Sequence, residues 1–354
     1  MQAEELAERV FASVLGAFET VSIHLGDQLG VYRYLHDHGA AGEAEVAEAC
    51  GMAPRYAREW LEQQTVAGIL EVDDPALPAE ERRYTLPADH APVLVDRDHL
   101  LHSAPFARLF TACAVQVPAL TEAYRTGGGV GWSTYGELMR TAQADANRPL
   151  FLGPLGSELL PALPDVHARL SDGGSVADLG CGEGWSSIGI ARAYPDARVD
   201  GYDIDPDSVE AARRNAGGAG VDGRVTFTLV DGAAVEPETP YDLVTLFECV
   251  HDMPDPVSVL AGARRLVAAD GTVLVMDEKV AEEFPGAGDE IERIMYGYSL
   301  LVCLPDGLSH PGSVGTGTVM RPSTLASYAV DAGFSGIEVL PLEHDVFRFY
   351  RLRL

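Results

Sequence analysis

A histidine and a carboxylate in the second half of the chain have types and positions suited to proton transfer. His251 follows an apolar segment at 241–247, and Asp277 follows another at 271–276. An unperturbed imidazole titrates near neutral pH and can take a proton from a hydroxyl or an acidic carbon. A carboxylate can orient that ring and stabilise its protonated form. We therefore predict a catalytic His251 assisted by Asp277; a turn-capping histidine and a solvated strand end are the alternatives.

The same part of the chain also offers metal ligands. His251, Asp252, Cys303 and His310 could surround an ion, since imidazole, carboxylate and thiolate groups all bind metals. Their spacing matches no standard metal-binding signature. We therefore predict no metal and keep a metal-assisted reaction as an alternative.

A glycine-rich segment is suited to binding a nucleotide-like ligand. Gly180, Gly182 and Gly184 alternate directly after the apolar segment 175–179. Glycine lacks Cβ, so the backbone can turn sharply and a ligand can approach it. The N–H groups that begin the next helix would point at that ligand. A dinucleotide fingerprint needs its third glycine where Trp185 stands, which disfavours a nicotinamide-dependent dehydrogenase.

Acidic residues accompany the ends of the following strands. Asp203 lies about twenty residues beyond the last glycine, where a carboxylate can accept hydrogen bonds from ribose hydroxyls. Asp205 precedes a proline and is predicted to cap a helix instead. Asp231 could accept the exocyclic amine of adenine. The residues predicted to bind the cofactor are the following: Asp178, Gly180, Gly182, Gly184, Asp203, Asp231, Gly232, Phe247 and Glu248.

These residues need a parallel sheet to bring them together. Strands and helices alternate from residue 175 onward, which predicts a parallel sheet with helices on both faces. The predicted strands are 175–179, 198–202, 225–230, 241–247 and 271–277, followed by an antiparallel pair at 336–341 and 346–353. Residues 286–320 interrupt the alternation, with a helix at 291–302 and a glycine-rich loop at 309–318. We predict that this insertion forms a lid or a substrate wall.

The first half of the chain is mainly helical. Residues 4–38 have apolar residues at helical spacing, with possible interruptions at Gly16 and Gly26. Two short helices at 43–50 and 54–67 precede a hairpin of strands 69–72 and 83–86, which predicts a winged helix-turn-helix.

The second of these two helices does not suit DNA. It carries Arg55 and Arg58 beside Glu59 and Glu62, so it lacks a basic face for phosphates. A structural or dimerising role is therefore predicted.

Residues 87–170 are also predicted to be mainly helical and join the winged helix to the glycine-rich part of the chain. The predicted helices are 99–124, with a bend before Pro118, then 137–147 and 151–163. Connecting helices of this kind commonly cover a ligand site, so Trp132 and Tyr135 are candidate substrate contacts. Ordinary packing of these two aromatic residues is the alternative.

Composition excludes several classes of protein. A chain of 354 residues is long for one core, which favours two domains. A net charge of −29 would repel nucleic acid and anionic membranes, and no apolar run is long enough to span a bilayer. The five cysteines form no paired motif, and the acidic first residues do not resemble a secretory signal. We expect a cytoplasmic protein.

The G-x-G-x-G spacing preceded by Asp178 resembles the first motif of class I S-adenosylmethionine-dependent methyltransferases. The whole arrangement resembles bacterial small-molecule methyltransferases and, more distantly, plant O-methyltransferases. The plant-type enzymes carry a His-Asp-Trp triplet whose histidine is the base; here the triplet is His251, Asp252 and Met253. Some bacterial relatives methylate a carbon beside a keto acid with a metal held partly by that histidine. Their histidine-rich helix reads Leu-Val-Cys-Leu here, at 301–304, which counts against this subtype.

The resemblance implies an α/β fold: a Rossmann-like seven-stranded methyltransferase domain behind a mainly α winged-helix domain. We expect a winged-helix, dimerising domain at 1–98, a helical connector at 99–170 and the cofactor-binding domain at 171–354. The predicted activity is methyl transfer from S-adenosylmethionine to a small molecule, with O-methylation favoured, in a bacterial specialised pathway and by a homodimer. The alternatives are a metal-assisted C-methyltransferase acting on a keto-acid-like substrate and a DNA-binding regulator that senses S-adenosylmethionine.

Overall fold

A computed structural model describes residues 1–236 and 238–354 of the chain. The chain divides into two compact units, Met1–Ala114 and Val115–Leu354. Within the described residues, no helix combines the length and the apolar character that crossing a bilayer requires. The finer division into three segments at residues 98 and 170 stays a prediction.

The first unit contains the predicted winged helix-turn-helix. Its core is formed by apolar residues such as Tyr32, Leu61 and Tyr84. Its helices are α1 (Ala3–Gln28), α2 (Val31–His38), α3 (Glu43–Ala49), α4 (Pro54–Val66), α5 (Ala91–Leu94) and α6 (Ala104–Val115). Strands β1 (Glu71–Val72) and β2 (Tyr84–Thr85) pair antiparallel and form the wing, shorter than the predicted hairpin.

The break in the first helical segment lies at Gly30, not at Gly16 or Gly26. Gly30 has a φ of +74°, in the left-handed region that ends one helix and starts the next. Both Gly16 and Gly26 lie inside α1. A Cβ on Gly26 would collide with the ring of Trp60, so this glycine allows close packing instead of breaking the helix.

In the described part of the second unit there are nine α-helices and seven strands. The helices are α7 (Val117–Thr126), α8 (Trp132–Leu152), α9 (Pro164–Ser171), α10 (Trp185–Ala193), α11 (Pro206–Ala219), α12 (Pro256–Leu266), α13 (Glu290–Tyr298), α14 (Leu304–Leu308) and α15 (Pro322–Asp331). The strands are β3 (Ser175–Leu179), β4 (Arg198–Asp203), β5 (Val225–Leu229), β6 (Tyr241–Phe247), β7 (Val267–Glu278), β8 (Gly336–Val339) and β9 (Phe347–Arg353). All seven predicted strands are confirmed, although β7 begins four residues before the predicted start.

The seven strands form one mixed sheet in the order β5-β4-β3-β6-β7-β9-β8. Strands β3 to β7 are parallel, and β9 pairs antiparallel with both β7 and β8. Alternate residues of β3 lie in separate cores, Val176 on one face and Ala177 on the other. The order reverses between β3 and β6, and open α/β sheets bind ligands outside the strand ends at this reversal.

The helical segments differ from the predictions in their ends. The predicted helix 99–124 is two helices, α6 and α7, separated at Gln116 beside the proline that suggested a bend. The predicted helix 137–147 lies within α8, which kinks at Gly136, where φ is +72°. In the insertion, α13 continues through a π-helical turn at Ser299–Cys303 into α14, so helical structure extends beyond the predicted end.

Candidate active site

The glycine loop turns at the end of the central strand β3. Gly180, Gly182 and Gly184 have φ values of +69°, +53° and +83°. A Cβ on Gly184 would lie 2.5 Å from the ring of Phe227, so this glycine is required for packing. A Cβ on Gly182 would meet no atom within 4 Å. The loop therefore has one side packed against the protein and one side open to a ligand.

Asp178 is a buried carboxylate that ties the loop to its neighbours. It is 1% exposed, and its oxygens accept hydrogen bonds from the hydroxyls of Ser186 and Ser187, both at 2.6 Å, and of Thr245, at 2.7 Å. Burial raises the pKa of Asp178, although the three hydroxyls oppose this change. The carboxylate thereby links β3 to the start of α10 and to β6.

Asp203 and Asp231 lie at the predicted strand ends. Asp203 accepts hydrogen bonds from the N–H groups of Gly182, at 2.8 Å, and Asp205, at 2.9 Å, and burial raises its pKa. Asp231, exposed and directly before Gly232, accepts one from the N–H of Ala233 at 2.8 Å. Asp205 accepts from the N–H of Ser208, which confirms its predicted role as the cap of α11. The glycine loop and two carboxylates thus share one edge of the sheet.

The two residues at the end of β6, Phe247 and Glu248, both contact helix α8. Phe247 is buried and stacks on Phe151, with 5.9 Å between the ring centroids. Glu248 has a φ of +50°, and its carboxylate accepts a hydrogen bond from the amide of Asn147 in α8. Burial raises the pKa of Glu248 to about 8, while the positive charge of His251 lowers it in part.

Helix α8 supplies contacts that the sequence did not predict. Arg140 forms an ion pair with Asp207 at 2.9 Å, and the guanidinium of Arg148 lies 4.0 Å above the ring of Trp185. Asn147, two turns after Arg140, contacts Glu248 as described. No sequence motif marks Arg140, Asn147 or Arg148 as residues of the site, and they share only their place on one helix. Their contacts are decided by the segments against which α8 packs in the folded chain.

His251 is enclosed by carboxylates. It is 3% exposed; its Nδ1 lies 2.9 Å from Asp277 in a hydrogen bond, and its Nε2 lies 2.9 Å from Oδ1 of Asp252. Oε2 of Glu278 is 3.0 Å from Nδ1 but makes no hydrogen bond, and Oδ1 of Asp252 also lies off the hydrogen-bond direction. Two ring nitrogens at ion-pair distance from carboxylates are best satisfied when both carry a proton.

The charges of this cluster support a protonated imidazole. Burial alone would lower the pKa of His251, but the carboxylates of Asp252, Glu278 and Asp277 raise it well above its usual value. Burial opposes ionisation of Asp277, yet the positive ring outweighs it and lowers the pKa of Asp277. Burial raises the pKa of Glu278 well above its usual range. The positively charged imidazole and the ionised form of Asp277 therefore stabilise each other, while burial favours the neutral form of Glu278.

Some of these side chains also meet the distance requirement for a metal. The ligand atoms of His251, Asp252 and Cys303 all lie within 4.8 Å of one another, and so do those of His251, Asp277 and Glu278. His310 belongs to neither group among the described residues and is exposed. Burial raises the pKa of the Cys303 thiol, so a metal would have to displace protons from both Cys303 and His251.

The insertion lies against the segment that carries His251. The N–H of Gly317 donates to the carbonyl of His251 at 3.1 Å, and the N–H of Val314 donates to Pro254 at 3.0 Å. The start of α8 is attached to the same insertion. Asp306 accepts a hydrogen bond from the N–H of Trp132 at 2.7 Å, and the hydroxyl of Tyr135 donates to the carbonyl of Leu301 at 2.6 Å.

The two aromatic candidates for substrate contact differ in exposure. Tyr135 is 5% exposed with its hydroxyl engaged, so it is a packing residue in this structure. Trp132 is half-buried and retains an accessible surface. Of the two, Trp132 stays a candidate contact.

Sequence comparisons match both halves of the chain. Residues 170–303 match a family described as a methyltransferase domain, and residues 17–96 match a family described as an Rv2258c-like winged HTH domain. The ubiquinone biosynthesis O-methyltransferase of Xanthomonas axonopodis pv. citri is 32% identical over 192 residues, which cover 52% of this chain and 72% of that protein. The trans-aconitate 2-methyltransferase of Streptomyces coelicolor is 32% identical over 117 residues, 33% of this chain and 38% of that protein.

Coverage differs between sequence and structure comparisons. The chain spans from 38% to 52% of the length of four of the curated relatives that it matches. The structure of a mitomycin 7-O-methyltransferase superposes with a TM-score of 0.69 over 99% of this chain and 98% of that chain, at 23% identity. This superposition shows that the two proteins share a fold.

Proposed function

The chain belongs to the class I S-adenosylmethionine-dependent methyltransferases, and we propose that it transfers a methyl group from S-adenosylmethionine to a hydroxyl group of a small molecule. The observation that supports this most directly is the position of two features at one edge of the sheet. The open side of Gly182 follows β3, and the His251 cluster follows the adjacent strand β6. A cofactor on the loop would therefore lie next to groups that can handle a proton.

The residues at the strand ends suit the cofactor. Gly182 leaves space against the backbone, Asp203 lies beside it, and the exposed Asp231 follows β5. We propose that Asp203 binds the ribose and Asp231 the adenine amine, as the sequence predicts. Asp178, enclosed by hydroxyls, would act by holding the loop in shape. The bound cofactor supplies a methyl group activated by a positively charged sulfur.

A hydroxyl acceptor agrees with the chemistry of the second half of the site. Carboxylates at the ends of β6 and β7 accept hydrogen bonds and protons, which a hydroxyl must lose as its oxygen is methylated. The Xanthomonas axonopodis relative, of which this chain covers 72%, is named an O-methyltransferase. The structural neighbour is named a mitomycin 7-O-methyltransferase. We propose that the acceptor is a small molecule of a bacterial specialised pathway.

Calorimetry with S-adenosylmethionine and with S-adenosylhomocysteine tests the cofactor assignment. We expect both to bind, and loss of binding in Asp231→Ala with retained folding. A mass-spectrometric assay of a panel of phenols and alcohols then tests methyl transfer. Absence of heat with either cofactor form, in protein shown to be folded, would remove the proposed function.

A metal-assisted C-methyltransferase is the second candidate, because the ligand atoms of His251, Asp252 and Cys303 lie within 4.8 Å of one another. Elemental analysis of the purified protein decides between the two. Activity that is lost with a chelator and restored by one metal would favour this candidate.

A DNA-binding regulator receives little support from the winged helix. In α4, Arg55 forms an ion pair with Glu59, and Arg58 forms one with Glu43. Arginines engaged by acids in this way are poorly placed to bind phosphates. Gel-shift measurements at low salt would reveal sequence-selective binding if this interpretation is wrong.

We also propose that the protein is a homodimer that forms through α1. This helix of 26 residues exposes a series of large apolar side chains to solvent: Leu6, Val10, Phe11, Val14, Leu15, Phe18, Val21 and Leu25. Extended apolar patches on a soluble protein mark contact surfaces. A second copy would cover this surface with the same surface of its own.

A further inference from the structure

The position of His251 raises the question of which group faces the acceptor. An imidazole that takes a proton from a substrate needs one unprotonated nitrogen directed at it. Nδ1 of His251 is hydrogen-bonded to Asp277, and Nε2 lies 2.9 Å from Asp252. Both ring nitrogens therefore lie at ion-pair distance from a carboxylate oxygen, which favours a proton on each, and 3% of the residue is exposed.

We propose that Asp252 accepts the proton of the acceptor hydroxyl and that His251 is a positioning residue that holds Asp252 in place. This inference rests on the proposed function and concerns the same site. It replaces the predicted base, His251, by its neighbour in the chain.

Exposure separates Asp252 from the other members of the cluster. Its side chain is 33% exposed, whereas those of His251, Asp277 and Glu278 are 3%, 1% and 7% exposed. Oδ1 of Asp252 is buried against the imidazole, so the accessible part of the side chain is the part that points away from His251. One oxygen is buried at ion-pair distance from the imidazole, and the other side of the carboxylate is accessible.

The location of Asp252 is also appropriate for methyl transfer. The residues around it lie against the glycine loop, because a Cβ on Gly180 would be 2.9 Å from Sγ of Cys249 and 4.0 Å from Cε of Met253. On its other side, the carbonyl of Asp252 would lie 3.3 Å from a Cβ on Gly307 in α14. The segment that carries Asp252 therefore lies between the glycine loop and the insertion.

The carboxyl and imidazole groups around Asp252 come from three elements. His251, at ion-pair distance, and Glu248 belong to its own segment; Asp277 and Glu278 at the end of β7 contact His251. Asp306 of α14 also interacts with Asp252 through its charge. Among these groups the imidazolium is the one positive charge, and it keeps the Asp252 carboxylate oriented.

The reaction balances with this assignment. The O–H bond of the acceptor breaks and its proton passes to the accessible oxygen of Asp252. The acceptor oxygen uses the released electron pair to bond the methyl carbon, as the bond from that carbon to sulfur breaks and leaves its electrons on sulfur. The products are a methyl ether and a neutral thioether. Asp252 then returns its proton to water, which its exposed side can reach.

The substitution Asp252→Asn tests the proposal because it preserves shape and removes the proton acceptor. With the acceptor found in the phenol and alcohol panel, we expect kcat to fall by about 10²- to 10⁴-fold. Affinity for S-adenosylhomocysteine, measured by calorimetry, should stay within about twofold. Asp252→Glu keeps a carboxylate and should recover part of the lost rate. If His251 were the base, Asp252→Asn would free Nε2 and lower the pKa of the ring, so an unchanged or higher rate would overturn the proposal.

A second measurement needs no acceptor. Nitrogen NMR of the His251 ring in the wild-type protein at neutral pH should show both nitrogens protonated. One unprotonated nitrogen would overturn the proposal, and so would a metal that is present in the wild type and absent from Asp252→Asn. These outcomes differ from failure of the proposed function, in which the wild-type protein itself would bind no cofactor.

Discussion

At the scale of single residues, the three loop glycines share a left-handed backbone and differ in their surroundings. Gly184 packs against Phe227, whereas Gly182 faces open space. The same substitution should therefore affect folding at one position and ligand binding at the other. This difference gives a direct test of where the cofactor lies.

For Gly184→Ala we expect a loss of at least about 2 kcal/mol in the free energy of unfolding, from overpacking and backbone strain. Gly182→Ala should cost about 1–2 kcal/mol, from its backbone conformation alone, and should greatly weaken binding of S-adenosylhomocysteine. Urea denaturation and calorimetry measure the two effects. Gly217→Ala, at an exposed position of α11 with no atom within 4 Å of the added Cβ, is the control and should be neutral or slightly stabilising. Normal cofactor binding by Gly182→Ala would place the cofactor elsewhere.

The contacts of Asp178 also predict the effect of a substitution on stability. Asp178→Ala would leave the hydroxyls of Ser186, Ser187 and Thr245 without their buried acceptor. We expect a loss of about 1–3 kcal/mol in the free energy of unfolding, together with weaker cofactor binding through a loosened loop. The exposed Asp172, mutated to Ala, is the matched control. Unchanged stability of Asp178→Ala would show that these hydrogen bonds contribute nothing net.

At the scale of elements, the insertion is hydrogen-bonded both to the start of α8 and to the segment that carries His251. Asp306 joins the insertion to α8 by accepting the N–H of Trp132, and burial raises the pKa of Asp306 to about 7. Its carboxyl binds a proton more tightly in the folded chain than in the unfolded chain. A rise in pH should therefore lower the free energy of unfolding.

The protonated Asp306 contributes to the free energy of unfolding. This contribution is fully present below about pH 4, the pKa of the group in the unfolded chain, and is lost as the pH rises through about 7. We expect the free energy of unfolding of Asp306→Asn to vary less with pH than that of the wild type between about pH 5 and 7.5. Urea denaturation across this range measures it, with Asp331→Asn, an exposed acid of α15, as the control. Parallel pH curves for wild type and Asp306→Asn would contradict the expectation.

At the scale of the whole molecule, the acidic composition and the apolar face of α1 have opposite effects on association. A net charge of −29 keeps most surfaces apart, so a dimer must depend on apolar contact. Phe11 and Phe18, two turns apart on α1, are 71% and 70% exposed. They are the natural sites at which to test the proposed dimer.

Phe11→Arg combined with Phe18→Arg should convert the dimer to a monomer while lowering the net negative charge, so added repulsion could not explain the change. Light scattering coupled to size exclusion gives the mass. Val66→Arg on α4, where the side chain is 89% exposed, is the control and should remain dimeric. A wild-type protein that is monomeric at micromolar concentration would refute the dimer.

The sequence alone determined the α/β class, the seven strands and the positions of the glycines and acids at their ends. These features depend on local chemistry: apolar strands alternate with amphipathic helices, and glycine allows turns that other residues resist. The cap at Asp205 was predictable for the same reason.

Only the tertiary structure decided which partners each side chain has. It enclosed Asp178 with hydroxyls from α10 and β6, surrounded His251 with carboxylates from two strand ends, and left Asp252 accessible. It also brought Asn147 of α8 to Glu248, about a hundred residues away in sequence. The exposure of a side chain and the charges around it depend on contacts between segments that are far apart in sequence. Such contacts cannot be inferred from the local pattern of residues.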